Sequence, residues 1–530
     1  MKQYQLSALA LCTSILLSAC GSGTSSSPAG TQSSGATPGT LLQNPAPRLT
    51  SLSAQYFAAS LNASAAGQGL LQIAGTPVCG VDTQYIQYGT VDGKGASGAT
   101  ASGALMVPTG TDPKCTGPRP VVLYAHGTTF NHNYNIANWT DSTNPAASEG
   151  SLIAAVFAAQ GYIVVAPNYV GYDSSNIGYH PYLIEAQQAA DMINSLQAAR
   201  LALPNIINKG VTDSGKLFIT GYSQGGYVAM AAQKAMDAKY AAGDKTMKVA
   251  AAAPSSGPYA LAALFDYVFA GHPNLGGPYL GTMIVTAYQN SYGDIYSNPS
   301  DVYTPSLASA GIAALLPYPI NSTTAQLSLI PQTALFSATS PGVPGVTPAV
   351  TGNPAVDPLF ALGFGDPSLF NNTFRLAYLM DASANPDQLN MATWLGGPST
   401  FPSSTTTAAT AARKHFAAND LRGYFPVEPT LLCGGANDPT VYFFNSVTMK
   451  AEWTAAQPAL APYYPLVDLA AAPTVGDGFD AARGGFQALQ NSVYTAAGGG
   501  AAGQAAVVQS THGNEAPFCM AAASGFFSHF

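Results

Sequence analysis

A mostly parallel α/β sheet flanked by helices is the fold class that this 530-residue sequence predicts, and three observations point to it. Apolar, β-prone runs alternate with helix-like segments from 119 to 259. The alternation breaks and then resumes near 428. A serine lies between glycines where one strand hands over to a helix. Parallel neighbours cannot be joined by a tight hairpin, so each crossover needs a connecting element, and strand-helix-strand succession is its sequence mark.

The elements follow in order. TQYIQYGTV and GATASGALMV, separated by the Gly-rich VDGKGASG, predict an antiparallel hairpin between 78 and 107. RPVVLYAHG then reads as a buried strand, SLIAAVFAAQ as a helix, GYIVVAPNYVGY as a strand and YLIEAQQAADMINSLQAARLAL as a long helix. KLFITGYSQGG supplies the next strand and its turn, and KVAAAAPSSGPY another strand. Regularity fails from 259 to 420, where pieces such as LAALFDYVF and FRLAYLMD sit among Pro/Gly/Ser-rich connections. This stretch is expected to be a largely helical cap inserted before the acid-bearing strand. The sheet pattern resumes with EPTLLCGGANDPTV, the helix-like FDAARGGFQALQNSV and a last expected strand, AAVVQSTHG. The expected organisation is a core split into two segments, 46–258 and 421–530, around a cap at 259–420. A separate second domain would leave the last strands without a sheet to join.

Charged residues make up 8% of the chain, against roughly a quarter in ordinary soluble proteins, so the surface relies on neutral polar groups. The formal net charge is -8. No basic stripe is present that could displace counterions from a phosphate backbone, which argues against a nucleic-acid partner.

Residues 1–20, MKQYQLSALALCTSILLSAC, join a charged start at Lys2 to a short apolar run and small residues before Cys20. That pattern predicts an export signal. The ending LSAC resembles the lipobox of bacterial lipoproteins, which implies removal of the signal before Cys20 and acylation there, with the membrane as partner through a lipid anchor. A plain secretory signal cut elsewhere is the alternative. Residues 21–45, rich in Gly, Ser, Thr and Pro, read as a flexible tether. The expected location is the outer membrane or cell surface, or otherwise the periplasm or exterior.

Besides Cys12 and Cys20 the chain has Cys79, Cys115, Cys433 and Cys519, an even number suited to an oxidising compartment. Three pairings are possible. We favour 79 with 115 and 433 with 519, because each pair brackets one local unit. The metal alternative lacks CxxC, HExxH and any close His/Cys cluster in the sequence, and neither metal nor cofactor is expected.

The segment from Gly221 to Gly225, GYSQG, satisfies G-x-S-x-G. Its glycines let neighbouring backbone pass close to a strained serine, Ser223. In so Gly- and Ser-rich a chain the motif alone is weak, and the strand before it and helix after it carry the weight. A serine hydroxyl is a poor nucleophile near neutral pH, so a histidine must take its proton and a carboxylate must fix that histidine. His512, in QSTHGNEAP, follows the other candidates in chain order, whereas His132 and His180 lie in early loops, His272 and His415 in the expected cap and His529 in the tail. Asp438, just beyond the strand in LLCGGANDPTV, is the expected acid, with an Asx-turn carboxylate as its structural reading. Asp468 lies in an uncertain connection, and Asp477 and Asp480 near the next helix. The oxyanion of acyl transfer needs two fixed donors, expected from the amides of Gln224 and of Thr128 in HGTT, with His126 ordering that loop.

Together AHGT at 125–128, GYSQG at 221–225, GANDPTV at 435–441 and THG at 511–513 resemble the α/β-hydrolase family over about two thirds of the chain. The likeness is greatest to secretory lipases and related exported bacterial serine esterases. It implies hydrolysis of a small-molecule, lipid or polymer ester through an acyl-enzyme on Ser223, without a cofactor. One departure stands out: where many relatives carry Asp in P-D-Y-x-G-Y, this chain has Asn168 in APNYVGY. A peptidase on the same fold and a non-catalytic surface binding module are the rival readings.

Overall fold

The computed structural model describes residues 36–206, 210–318, 326, 328–341, 347–350, 357–385 and 410–530. The expected signal, Cys20 and most of the expected tether lie outside the described residues. Among the described residues, nine strands form one sheet in the order β1-β2-β3-β5-β4-β6-β7-β8-β9. They are β1 (Arg48–Leu52), β2 (Gly80–Val91), β3 (Ser97–Thr109), β4 (Gly117–Ala125), β5 (Ile163–Pro167), β6 (Val211–Tyr222), β7 (Val249–Ser255), β8 (Leu432–Gly434) and β9 (Leu466–Asp468). The first three pair antiparallel and β3 meets β5 antiparallel. Every other pairing is parallel.

The hairpin of β2 and β3 matches its sequence pattern, and the parallel centre is as apolar as burial on both faces demands. Val121, Val122 and Leu123 of β4 and Val164 and Val165 of β5 are all at most 2% exposed. Helices α1 (Ala54–Asn62), α2 (Ala65–Ala74), α3 (Ala147–Val156), α4 (Glu185–Ala202) and α5 (Gln224–Ala241) precede β7 in the chain. The run GYIVVAPNYVGY is strand only as far as Pro167. Beyond it, Tyr169 has φ 66° and Asp173 φ 48°, so the chain turns where the sequence suggested extension.

Between β7 and β8 the described residues include the helices α6 (Leu261–Phe269), α7 (Gly277–Tyr292), α8 (Pro305–Ser309), α9 (Asp357–Leu362), α10 (Asn372–Ala384) and α11 (Ala411–Ala418), joined by turns and irregular segments. Buried charge ties three of them together. The Arg413 guanidinium on α11 meets Asp266 of α6 at 2.7 Å and Asp381 of α10 at 3.2 Å. A buried carboxylate needs such pairing and hydrogen bonding to remain charged.

After β8 come α12 (Phe444–Ala456), α13 (Asp480–Ala496) and α14 (Gly500–Phe527). The expected last strand, AAVVQSTHG, is a correction: these residues lie inside the 28-residue α14. The VV pair suggested β structure, but it stands in an Ala-rich segment whose helix propensity and tertiary packing prevail. Cys519 of α14 is disulfide-bonded to Cys433 of β8, and Cys79 is bonded to Cys115. Both favoured pairings are present. Asp468 ends β9 and accepts the Ala436 and Ala470 amides at 2.9 Å each.

Candidate active site

The joint between β6 and α5 explains its glycines. A Cβ on Gly221 would lie 2.6 Å from the Ala125 carbonyl oxygen, and one on Gly225 2.8 Å from that of His126. Any side chain there would separate β4 from β6. Ser223 itself has φ 61° and ψ -123°, a costly conformation for a residue with a Cβ. It is held by its amide on Ser255 O at 3.0 Å and by the Gly226 amide on its own carbonyl at 2.9 Å.

Three distant segments meet at this turn. His512 Nε2 lies 2.8 Å from Ser223 Oγ, and His512 Nδ1 lies 2.6 Å from Asp438 Oδ2. The Asp438 side chain is fully buried and that of His512 is 16% exposed. The other carboxylate oxygen, Oδ1, accepts the Thr440 and Val441 amides at 2.8 and 3.1 Å. Asp438 is therefore an Asx-turn carboxylate and the imidazole's partner at once. The Cys433–Cys519 bridge fastens the strand before Asp438 to the helix that carries His512.

The loop after β4 lies against the serine. A Cβ on Gly127 would be 4.0 Å from Ser223 Cβ. Glu149 of α3 shapes this loop, accepting the Gly127 amide at 2.9 Å, the Tyr124 hydroxyl at 2.7 Å and the Tyr134 hydroxyl at 2.8 Å. Thr128 Oγ1 is 2.9 Å from the Tyr182 hydroxyl. His126 is fully buried between the carbonyls of Gly127 and Asn168, and burial pushes its pKa down. Asn168 accepts the Ile136 amide at 2.8 Å and donates to Ser102 Oγ at 2.9 Å. An amide thus serves here as both donor and acceptor, which a carboxylate could not do.

Several neighbours carry no motif that marks them in the sequence. His180 donates from Nδ1 to Val170 O at 2.8 Å and receives the Gln224 side-chain amide on Nε2 at 2.5 Å. Burial lowers its pKa to about 3, and a neutral ring has one donor and one acceptor for those two roles. Tyr222, beside the serine, donates its hydroxyl to the His512 carbonyl. Its pKa is pushed well up, first by burial and then by Glu515. Glu515 lies three residues beyond His512 on α14, a relation visible only once that segment is known to be helical.

An apolar cavity borders the site. Its walls include Tyr182, Val268, Phe269, Phe370, Thr440 and Val441, so it touches both the residue that meets Thr128 and the turn capped by Asp438. Among the described residues, no group of three His, Cys, Asp or Glu side chains could hold a metal ion. No helix among them is long and apolar enough to cross a membrane.

Residues 149–249, spanning α3 through the start of β7, match the model of the prolyl oligopeptidase family. No curated protein matches the chain in sequence. Among solved structures, the rice cell wall degrading esterase LipA from Xanthomonas oryzae is 28% identical, with 84% of this chain and 93% of that one covered and a TM-score of 0.60. A ligand-bound form of that esterase gives the same figures. A hydrolase described as putative, from Legionella pneumophila, is 17% identical over 92% of this chain and 97% of its own, with a TM-score of 0.59, a likeness of fold alone. The chain has the α/β-hydrolase fold. Within it, the chain is a hydrolase of the esterase/lipase or prolyl-oligopeptidase type.

Proposed function

We propose that the protein hydrolyses carboxylic esters through an acyl-enzyme on Ser223, with His512 as base, Asp438 as its orienting carboxylate and the amides of Gln224 and Thr128 as oxyanion donors. The observation that carries this reading is the unbroken contact from Ser223 Oγ through the two nitrogens of His512 to Asp438, at 2.8 and 2.6 Å. His512 Nε2 takes the hydroxyl proton as Ser223 Oγ attacks the ester carbonyl, and Asp438 stabilises the imidazolium that results. The tetrahedral intermediate's negative oxygen rests on the two amides, which are fixed before reaction and so need little reorganisation. His512 returns its proton to the departing alcohol. Water, deprotonated by the same imidazole, then releases the acid and regenerates Ser223.

The apolar cavity supports a hydrophobic acyl or alcohol part in the substrate, and residues 259–420 are proposed as the cap that shapes it. The LipA likeness supports an ester rather than an amide. Export, with a lipid on Cys20 and a tether at 21–45, is part of the same proposal and is supported by the signal-like start and the two disulfides. The prolyl oligopeptidase match keeps a peptidase as second reading.

A chain-length series of nitrophenyl esters, run beside aminoacyl amides on wild type and Ser223→Ala, tests the proposal. Ester turnover lost in the variant is the expected result. Turnover of amides alone would favour the peptidase, and ester hydrolysis surviving in Ser223→Ala would remove the mechanism.

A further inference from the structure

One buried carboxyl beside the site has no role in the mechanism above. Glu515 is fully buried on α14, three residues past His512. Its Oε2 receives Ser256 Oγ at 2.9 Å and lies 3.2 Å from the Tyr222 hydroxyl. Its Oε1 is buried without a hydrogen-bond partner. The side chain occupies space that glycine leaves open, since a Cβ on Gly435 would run into Oε1. Gly435 in turn starts the turn to Asp438, whose amide it accepts at 3.0 Å. Glu515 therefore touches the ends of β6, β7 and β8 at the level where serine, base and acid converge.

We propose that Glu515 is a positioning residue for the reaction at Ser223, holding the main chain of His512 through Tyr222 and filling the space beneath the turn that carries Asp438. The inference rests on the serine-hydrolase reading of the site. Tyr222 is the link, because its hydroxyl donates to the His512 carbonyl and lies against Glu515. With its one proton given to that carbonyl, the Tyr222 oxygen can only accept from Glu515, which requires the carboxyl to be protonated. The titratable groups facing Glu515 agree with this. Tyr222 adjoins it, His512 stands three residues before it on the same helix, Asp438 and Asp468 add negative charge, and burial together with those two aspartates favours its neutral form. A neutral acid braces the base without placing a second negative charge beside an imidazole that already has Asp438.

The test compares Glu515→Gln, Glu515→Ala and Tyr222→Phe in full-length enzyme on a nitrophenyl ester, with Ser223→Ala as control. Glu515→Gln keeps the shape and neutrality, so its kcat is expected within about twofold of wild type. The acid limb of its kcat/KM profile should stay in place. Glu515→Ala and Tyr222→Phe are expected to lose about tenfold in kcat at nearly unchanged KM, the pattern of a misplaced base rather than lost substrate binding. Wild-type kcat in either of those two variants would overturn the proposal. So would an acid limb displaced to lower pH in Glu515→Gln, because that shift reports removal of a negative charge next to His512. If Glu515→Ala does not fold, Tyr222→Phe and the Glu515→Gln profile decide. Activity surviving in Ser223→Ala would instead remove the serine mechanism, an outcome separable from the failure of Glu515.

Discussion

Ser223 and the two residues in line with it, His512 and Asp438, are held by different means. Ser223 is fixed by backbone: two strand ends pack against glycines, and its positive φ is held by its amide on Ser255 O of β7 and by the Gly226 amide on its own carbonyl. Asp438 and His512 come from segments 74 residues apart and are held by side chains and a covalent bond: the Asx turn, the Tyr222 hydroxyl and the Cys433–Cys519 bridge. The contrast teaches that precision at the serine comes from backbone and close steric fit, whereas precision at the imidazole comes from side chains and a covalent cross-link. The two halves should therefore fail in different ways.

The largest effect is expected from Asp438→Asn. It keeps the size of the side chain while disturbing the tautomer and charge balance of His512, and kcat should fall by about four orders of magnitude. Stopped assays on a nitrophenyl ester measure this, and a loss below tenfold would mean that the buried carboxylate serves only its turn. Opening the bridge with Cys433→Ser and Cys519→Ser comes next. The cysteines are 86 residues apart, and chain-entropy arguments give about 4.5 kcal/mol for a loop of that size. Denaturant unfolding should show a loss of that order, with falling activity while the Ser223 turn stays intact.

Gly225→Ala attacks the other half. Its Cβ would meet the carbonyl oxygens of Ala125 and His126, and overpacking of this kind costs about 1–3 kcal/mol. Reaction of Ser223 should fall more than thermal stability does, and an unchanged rate would show that the turn tolerates displacement. The smallest effect at neutral pH concerns His180. Its folded pKa of about 3 lies below the ordinary 6.5, so the unfolded chain binds the extra proton between those values. Its contribution is complete above pH 6.5 and declines as pH falls toward 3. Melting temperatures of wild type and His180→Gln should converge as pH drops through that window, and parallel curves would contradict a buried neutral imidazole.

The same contrast explains what the sequence could disclose. The hairpin of β2 and β3, the strands β4, β6 and β7 and the turn at Ser223 follow from local pattern, because alternation, apolar runs and glycine spacing are each contained within one short segment. Asp438 was legible from its position just past a strand, and His512 from chain order. The helix carrying His512 was not. Its VV pair imitates a strand, and only packing of α14 against the sheet decides the matter. Misreading that segment also hid Glu515, whose relation to His512 exists only with helical spacing. His180 and Glu149 left no local sign, since each acts on a loop distant in sequence from itself.

The most direct measurement is covalent labelling of the folded enzyme with a fluorophosphonate, followed by peptide mass analysis. The account predicts one phosphonyl group on the peptide containing Ser223, formed rapidly in wild type and at a strongly reduced rate in His512→Ala. An unmodified Ser223, or labelling as fast without His512 as with it, would contradict it.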